Sequence, residues 1–339
     1  MSPETQDVHY LKEVFDYKNK MVRLDYKPNI FGDSNSDVHR TSEVHDFNTG
    51  VAYVTDVRTG SCTFKLIPTK GFDAEPLANN SKLAKLRSGF EYFFSDSAIN
   101  ITYSGMKTTR GIECDVWVAL KNDWPSDQPA LSVWEWYFAR RGWQQYAGKT
   151  FEFGMPIQIK ITTCGPNPMY MLYNIYDYNE DIPNFWAFDI SKCYNYDNKA
   201  FIRFFLPGNY SQLVLPNESI FKYLVLISIT GYTAISPIRV ANMKLDHNSK
   251  YILVSFDMLG PAPIKGDVRH YQTETPLTIA KSILMNAINK QTFVVEVDKI
   301  SLSTCCRISF EDEHTGTKLE DSQDVDIADR MCDSSLCWS

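Results

Sequence analysis

The chain has 339 residues, with 34 basic against 41 acidic side chains for a formal charge of −7, and 44% of it is hydrophobic. That length holds two domains, the balance is that of a globular protein, and an acidic surface repels phosphate backbones, which excludes nucleic acid as the expected partner. An aromatic share of 14%, with 19 Tyr, 20 Phe and 7 Trp, favours extended strands, where flat rings pack across a pleated surface.

In chain order, the first signal is the alternation of Val8, Tyr10, Val14, Tyr17, Met21, Val22, Leu24 and Tyr26, broken near Asp16-Tyr-Lys-Asn-Lys20. It predicts one or two strands. Gly50 to Leu66 reads as strand, Arg-Thr-Gly turn and strand, a hairpin carrying Cys62 on its return arm. Ser81 to Phe94 is predicted as a helix, capped by Ser81, with Leu83, Leu86 and Phe90 at helical spacing. Strands resume at Asn100-Ile-Thr-Tyr103, Cys114 to Leu120, Val133 to Phe138, Pro156 to Ile161 and Met169 to Tyr176. In the fourth of these, Ile157, Ile159 and Ile161 alternate with Gln158 and Lys160, as in a half-buried antiparallel strand.

The apolar burst Tyr223 to Ile229 reads as a buried strand, and no window approaches the roughly 18–20 apolar residues of a membrane span. Ser236 to Leu245 and Tyr251 to Met258 are two further strands joined at Asp246-His-Asn-Ser-Lys250. A helix is predicted from Thr275, the cap, through Pro276 to about Asn289, with Leu277, Ala280, Leu284 and Ile288 as its apolar stripe. Thr292 to Val297 closes the series. The expected fold is mainly β: a strand-rich first domain over residues 1–215, a small α+β sandwich over 220–300, and a cysteine-rich acidic tail or stalk over 301–339.

Eight cysteines, Cys62, Cys114, Cys164, Cys193, Cys305, Cys306, Cys332 and Cys337, fall into two groups of four. An even count with no C-x-x-C pair predicts disulfides rather than zinc. Each group allows three pairings, so spacing does not give the connectivity. A ring between the neighbours Cys305 and Cys306 is strained, so each is expected to pair with Cys332 or Cys337. Four Asn-x-Ser/Thr sequons, at Asn79, Asn100, Asn209 and Asn217, predict N-glycosylation, two of them in Pro-marked turns. Cysteines and sequons together predict an extracellular protein, secreted or the ectodomain of an anchored one. The start Met1-Ser-Pro-Glu-Thr-Gln6 lacks a secretion pattern, so the natural chain is expected to extend beyond both Met1 and Ser339.

Catalytic chemistry finds no support. The chain holds no G-x-S-x-G, Gly-rich phosphate loop, H-E-x-x-H or G-x-G-x-x-G motif. Of the six scattered histidines, His39 and His45 read as exposed loop residues. His314 with Cys305, Cys306 and Cys332 matches no common zinc spacing. Asp324 and Asp326 alternate without the glycine a calcium loop needs, so a solvated acidic segment is expected. Cofactors, metals and enzymatic activity are therefore not expected. What remains is physical: a curved aromatic sheet with the 81–94 helix as a lid can leave an apolar concave face. Its candidate lining residues are Trp134, Trp136, Phe138, Tyr170 and Trp186. Spacing alone leaves open whether these rings line a hollow or fill a core.

Several segments carry a family likeness. They are Phe15-Asp-Tyr-Lys-Asn-Lys-Met-Val-Arg-Leu-Asp-Tyr26, Gly60-Ser-Cys-Thr-Phe-Lys-Leu66, Tyr103-Ser-Gly105, Arg110-Gly-Ile-Glu-Cys-Asp-Val-Trp117, Tyr173-Asn-Ile-Tyr-Asp-Tyr178 and Phe188-Asp-Ile-Ser-Lys-Cys-Tyr194. Over roughly residues 5–200 the chain resembles the LolA-like domain of invertebrate secreted or single-pass surface proteins. Residues 220–300, with Ser236-Pro-Ile-Arg-Val240, resemble the uncharacterised domain that often follows. The resemblance implies an incompletely closed antiparallel β-barrel with helices over its concave side. By analogy with the bacterial lipoprotein carrier, it implies a lipid or apolar ligand. The alternative partner is another protein, bound at the cell surface by an adhesion or interaction ectodomain.

Overall fold

The computed structural model describes residues 10–27, 40–69, 71–88, 100–124, 130–140, 154–179, 181–248, 250–269, 271–297 and 300–304. The chain divides into two compact units, one of Met1–Gly89 with Pro183–Ser339 and one of Phe90–Ile182.

The first unit opens with an antiparallel meander of five strands, β1 (Leu11–Asp16), β2 (Met21–Tyr26), β3 (Thr41–Asp46), β4 (Val51–Asp56) and β5 (Cys62–Leu66). Three of its hairpins share one chemistry. Asp16, Asp46 and Asp56 end their strands, and their carboxylates accept from the backbone N–H of Asn19, Asn48 and Arg58 at 2.9, 2.9 and 2.8 Å. Side-chain turns of this kind divert the backbone from its ladder and fix the reversal. Four residues after each aspartate, φ is positive: 56° at Lys20, 74° at Gly50 and 71° at Gly60. At Gly50 only glycine fits, because a Cβ would lie 2.9 Å from backbone atoms of Gly266 and Asp267.

Behind one face of the meander lies a hairpin of β6 (Ala74–Leu77) and β7 (Asn80–Leu86). The helix expected over 81–94 is thus absent where the chain is described; residues 89–94 lie outside the described residues. Leu83 and Leu86 do sit at helical spacing. The cross-strand match decides instead: Ala74 faces Leu86, Lys85 reaches Glu75 at 2.9 Å, and Ala74 and Ala84 pack with Val22, Leu24, Phe47, Ala52 and Ile67.

The second unit is a five-stranded antiparallel sheet of β8 (Thr102–Thr109), β9 (Ile112–Trp124), β10 (Ala130–Ala139), β11 (Pro156–Thr163) and β12 (Tyr170–Asn174), in the order β12-β11-β10-β9-β8. Arg110 and Gly111 turn β8 into β9 with positive φ at both positions, as a tight hairpin requires. The Arg110 guanidinium also donates to the carbonyls of Ile157 and Ile175, at 2.9 and 3.0 Å, and stacks on Tyr176.

The chain then re-enters the first unit. There β13 (Lys199–Pro207), β14 (Val240–His247) and β15 (Tyr251–Leu259) form a sheet in the order β13-β15-β14. Helices α1 (Glu218–Thr233) and α2 (Leu277–Asn289) and the hairpin of β16 (Val294–Val297) and β17 (Ile300–Ser303) complete it. The apolar run 223–229 is therefore helical rather than the strand expected. Asn217 caps α1 through a 3.1 Å bond from the Ile220 N–H. The buried residues Phe221, Val225, Leu226, Ile229 and Thr233 then recur at helical spacing. One core joins α1, α2 and this sheet to Met21, Val44, Val51 and Tyr53 of the meander. No sheet closes on itself among the described residues, and no helix among them is long and apolar enough to cross a membrane.

Candidate ligand-binding site

Within the first unit a half-open groove of about 330 Å³ is lined by Phe185, Trp186, Phe188, Asp189, Lys222, Ile238, Val240, Ala241, Asn242 and Met243. Three local structures build it. A short 3-10 turn, Phe185–Phe188, is fixed at its start by the Asn184 side chain, which accepts from the Trp186 N–H at 3.1 Å. Arg23 of β2 donates to the Ala187 carbonyl at 2.7 Å. Phe185 packs against Trp186, Phe188 and Tyr223, with ring centres 5.7–6.5 Å apart.

The second wall is a β-bulge in β14. Ala241 faces Asp257 and Lys244 faces Ser255, so Asn242 and Met243 together oppose the one residue between. Asn242 adopts φ 54° and its Nδ2 donates to Asp257 Oδ2 at 2.9 Å. The bulge turns the strand so that successive residues 240–243 all reach the groove. The third wall is α1, which contributes Lys222. Apolar side chains beside a few placed polar groups are the usual make-up of a small-molecule site.

Of the five residues proposed from sequence, Trp186 lines this groove. Trp134 and Trp136 are 4% and 1% exposed on β10, tilted against each other at 6.0 Å. Lys121 Nζ stands 4.1 Å from the centre of the Trp134 ring, and the Trp134 Nε1–H donates to Ser132 Oγ at 3.0 Å. Phe138 is half-buried at the β10–β11 register shift, and Tyr170 is 48% exposed on β12. Sequence reading missed Phe185, Phe188 and Lys222. The available signal was the packed aromatic run after Pro183-Asn184, together with Lys222 one turn after Glu218.

A second cluster of titratable groups is buried between the meander and β6. His45, expected in an exposed loop, is 2% exposed; His39 lies outside the described residues. Alternation places Glu43 and His45 on one face of β3, which was the sequence signal for their pairing. His45 Nδ1 is 2.6 Å from Asp73 Oδ2, its Nε2 is 3.0 Å from Glu43 Oε2, and the Tyr26 hydroxyl donates to Glu43 Oε1. Burial works against a charged ring, yet the two carboxylates outweigh it and lift the His45 pKa to about 9. Glu13 nearby is pushed up to about 8, by burial first and by the Asp73 charge second. Both ring nitrogens of His45 are thus taken, and no group of residues able to hold a metal occurs among the described residues.

The cysteine pattern is partly different from the one expected. Cys62 of β5 bonds Cys193, across 131 residues of sequence. Cys114 and Cys164 are free thiols, the first buried in β9 and the second exposed after β11. Burial raises the Cys114 thiol above its ordinary pKa, which keeps it an inert packing residue. The four cysteines from 305 onward, His314 and the acidic segment lie outside the described residues. All four sequon asparagines are exposed.

The family model for the metazoan 2nd LolA-like domain matches residues 1–194, and that for a domain of unknown function, DUF7959, matches residues 200–304. No curated protein and no solved structure matches the chain. The groove therefore takes its 3-10 wall from the first matched segment and its other two walls from the second. With antiparallel open sheets, the Cys62–Cys193 bond and a match over more than half its length, the chain belongs to the metazoan 2nd LolA-like domain family and carries a DUF7959 domain after it.

Proposed function

We propose that this protein is an extracellular, non-enzymatic binding protein that holds a lipid or other apolar molecule in the groove between the 185–188 turn, α1 and the β14 bulge. The carrying observation is that Phe185, Phe188, Ile238, Val240 and Met243 line the groove together with the polar side chains of Asp189, Lys222 and Asn242. Its volume sits at the low end of the ~300–1,000 Å³ range of small-molecule sites. The LolA-like fold, associated with lipid and apolar binding, supports the same reading. An oxidising compartment is supported by the Cys62–Cys193 bond and the exposed sequons. Asn217 caps α1 and Asn209 caps the short helix Tyr210–Leu213, both through Oδ1, so the Nδ2 that joins a glycan is not spent on the cap.

The test is displacement of an environment-sensitive apolar dye, comparing the native chain with Trp186→Ala. Trp186 is only partly buried, so its removal opens a wall without emptying the core. Saturable binding that weakens several-fold in the variant supports the reading; no binding, or binding indifferent to Trp186, refutes it. A second reading, a protein partner at the cell surface, draws on the edge strand β12, where Tyr170, Met171 and Leu172 are all exposed. Capture of a partner that Tyr170→Asp releases, with no dye binding, favours that reading.

A further inference from the structure

We propose that the groove selects an uncharged ligand over an anionic one: a single-chain amphiphile ending in one hydrogen-bond acceptor, such as a long-chain alcohol or ester, rather than a fatty acid. This rests on the apolar-binding reading of the same groove. Each polar group on the lining already has its partner. Lys222 Nζ is 2.6 Å from Glu218 Oε1, one turn earlier on α1. Asp189 accepts from the Ser191 N–H at 2.9 Å and from the Ser191 hydroxyl at 3.0 Å. Asn242 donates to Asp257.

The groove thus offers no unpaired positive charge: Lys222 is held by Glu218, and the Asp189 carboxylate is bonded by the neutral groups of Ser191. A ligand carboxylate would meet the Glu218 and Asp189 charges. It would leave water for the cleft without a free counter-ion, which is costly. Hydrogen-bond donors, by contrast, remain. Lys222 has three N–H groups with one given to Glu218, and the Asn242 amide has a second hydrogen. The Lys222 side chain is 20% exposed while Glu218 is 49% exposed, so the lysine follows the wall and its partner sits on the solvent side. A hydroxyl or ester oxygen at the end of an apolar chain can accept from these donors without breaking the ion pair.

The experiment titrates dodecanol and dodecanoate against the apolar dye on the full chain, in the native form and in Glu218→Gln. In the native chain the alcohol is expected to displace the dye roughly tenfold more strongly than dodecanoate, the scale of an uncompensated charge in a half-buried site. In Glu218→Gln the lysine loses its partner, so dodecanoate gains about tenfold while the alcohol stays level. Equal binding of the two, or dodecanoate the stronger on the native chain, overturns this inference and leaves the apolar-binding reading standing. If Glu218→Gln fails to move the dodecanoate constant, Lys222 does not govern selection and the inference also falls. Failure of every probe to bind overturns both.

Discussion

His45 is the residue whose environment most constrains the chemistry of the fold. Its ring lies between Asp73 and Glu43 with a pKa near 9, against about 6.5 in an unfolded chain. The folded state then binds that proton more tightly, so its contribution to stability is full below pH 6.5 and is lost as pH rises to about 9. Glu13 has the same sign: raised from 4.5 to about 8, it favours the folded state at low pH and loses that advantage across 4.5 to 8. Thermal unfolding should therefore show a melting temperature that falls on going from pH 6.5 to 9, with a shallower fall in His45→Gln. A melting temperature that rises over that window contradicts the assignment. Gly50 makes a second residue-scale prediction. Gly50→Ala combines positive φ with a contact of 2.9 Å to backbone at 266–267, and should cost about 1–3 kcal/mol in denaturant unfolding.

At the scale of elements, α1 depends on its cap. Asn217→Ala removes both the cap and a sequon, and should cost about 1 kcal/mol; Asn217→Asp removes only the sequon and should leave stability nearly unchanged. Denaturation of unglycosylated protein separates the two. The Cys62–Cys193 bond ties β5 to the turn that precedes β13, and replacing both cysteines with serine should lower stability by about 2–5 kcal/mol. Peptide mapping should find that pair linked and Cys164 open to alkylation.

Element type was legible wherever one periodicity stood alone. Alternation marked β1 and β2, the Arg-Thr-Gly turn marked β4 and β5, and the 277–288 stripe marked α2, whereas β3 was not foreseen. The reading failed where two periods overlap. Leu83 and Leu86 fit a helix until Ala74 and Glu75 supply a partner strand. The run 223–229 is too apolar to show a period unless Phe221 and Thr233 are counted with it. In α2, Thr275 was expected as the cap; its hydroxyl instead donates to the Ala234 carbonyl at 3.3 Å, and the helix starts at Leu277. The groove was illegible for a related reason: its walls come from residues 185–189, 222 and 238–243, and no local pattern in one foretells the others.

Across the whole molecule, the two family segments share structure rather than merely adjoin. Asp46 of β3 accepts from the Ser236 hydroxyl at 3.2 Å, the Gln272 N–H donates to the Asn48 carbonyl, and Gly266 closes on Gly50. Beside them Arg239, fully buried, pairs with Glu274 at 3.2 Å and donates to the Leu259 carbonyl. Cutting the chain between residues 194 and 200 would bare the core these segments share, so residues 1–194 produced alone should expose apolar surface and aggregate. A monomeric, cooperatively melting 1–194 fragment would contradict that shared core.

An apolar ligand in the groove of this composite unit is open to native mass spectrometry of the full chain, purified without detergent from secreting animal cells. A bound species of lipid-like mass, released by organic solvent and depleted in Trp186→Ala, is the expected result. A chain that flies only at its own glycosylated mass, and takes up no long-chain alcohol when offered it, would show that the groove holds no such ligand.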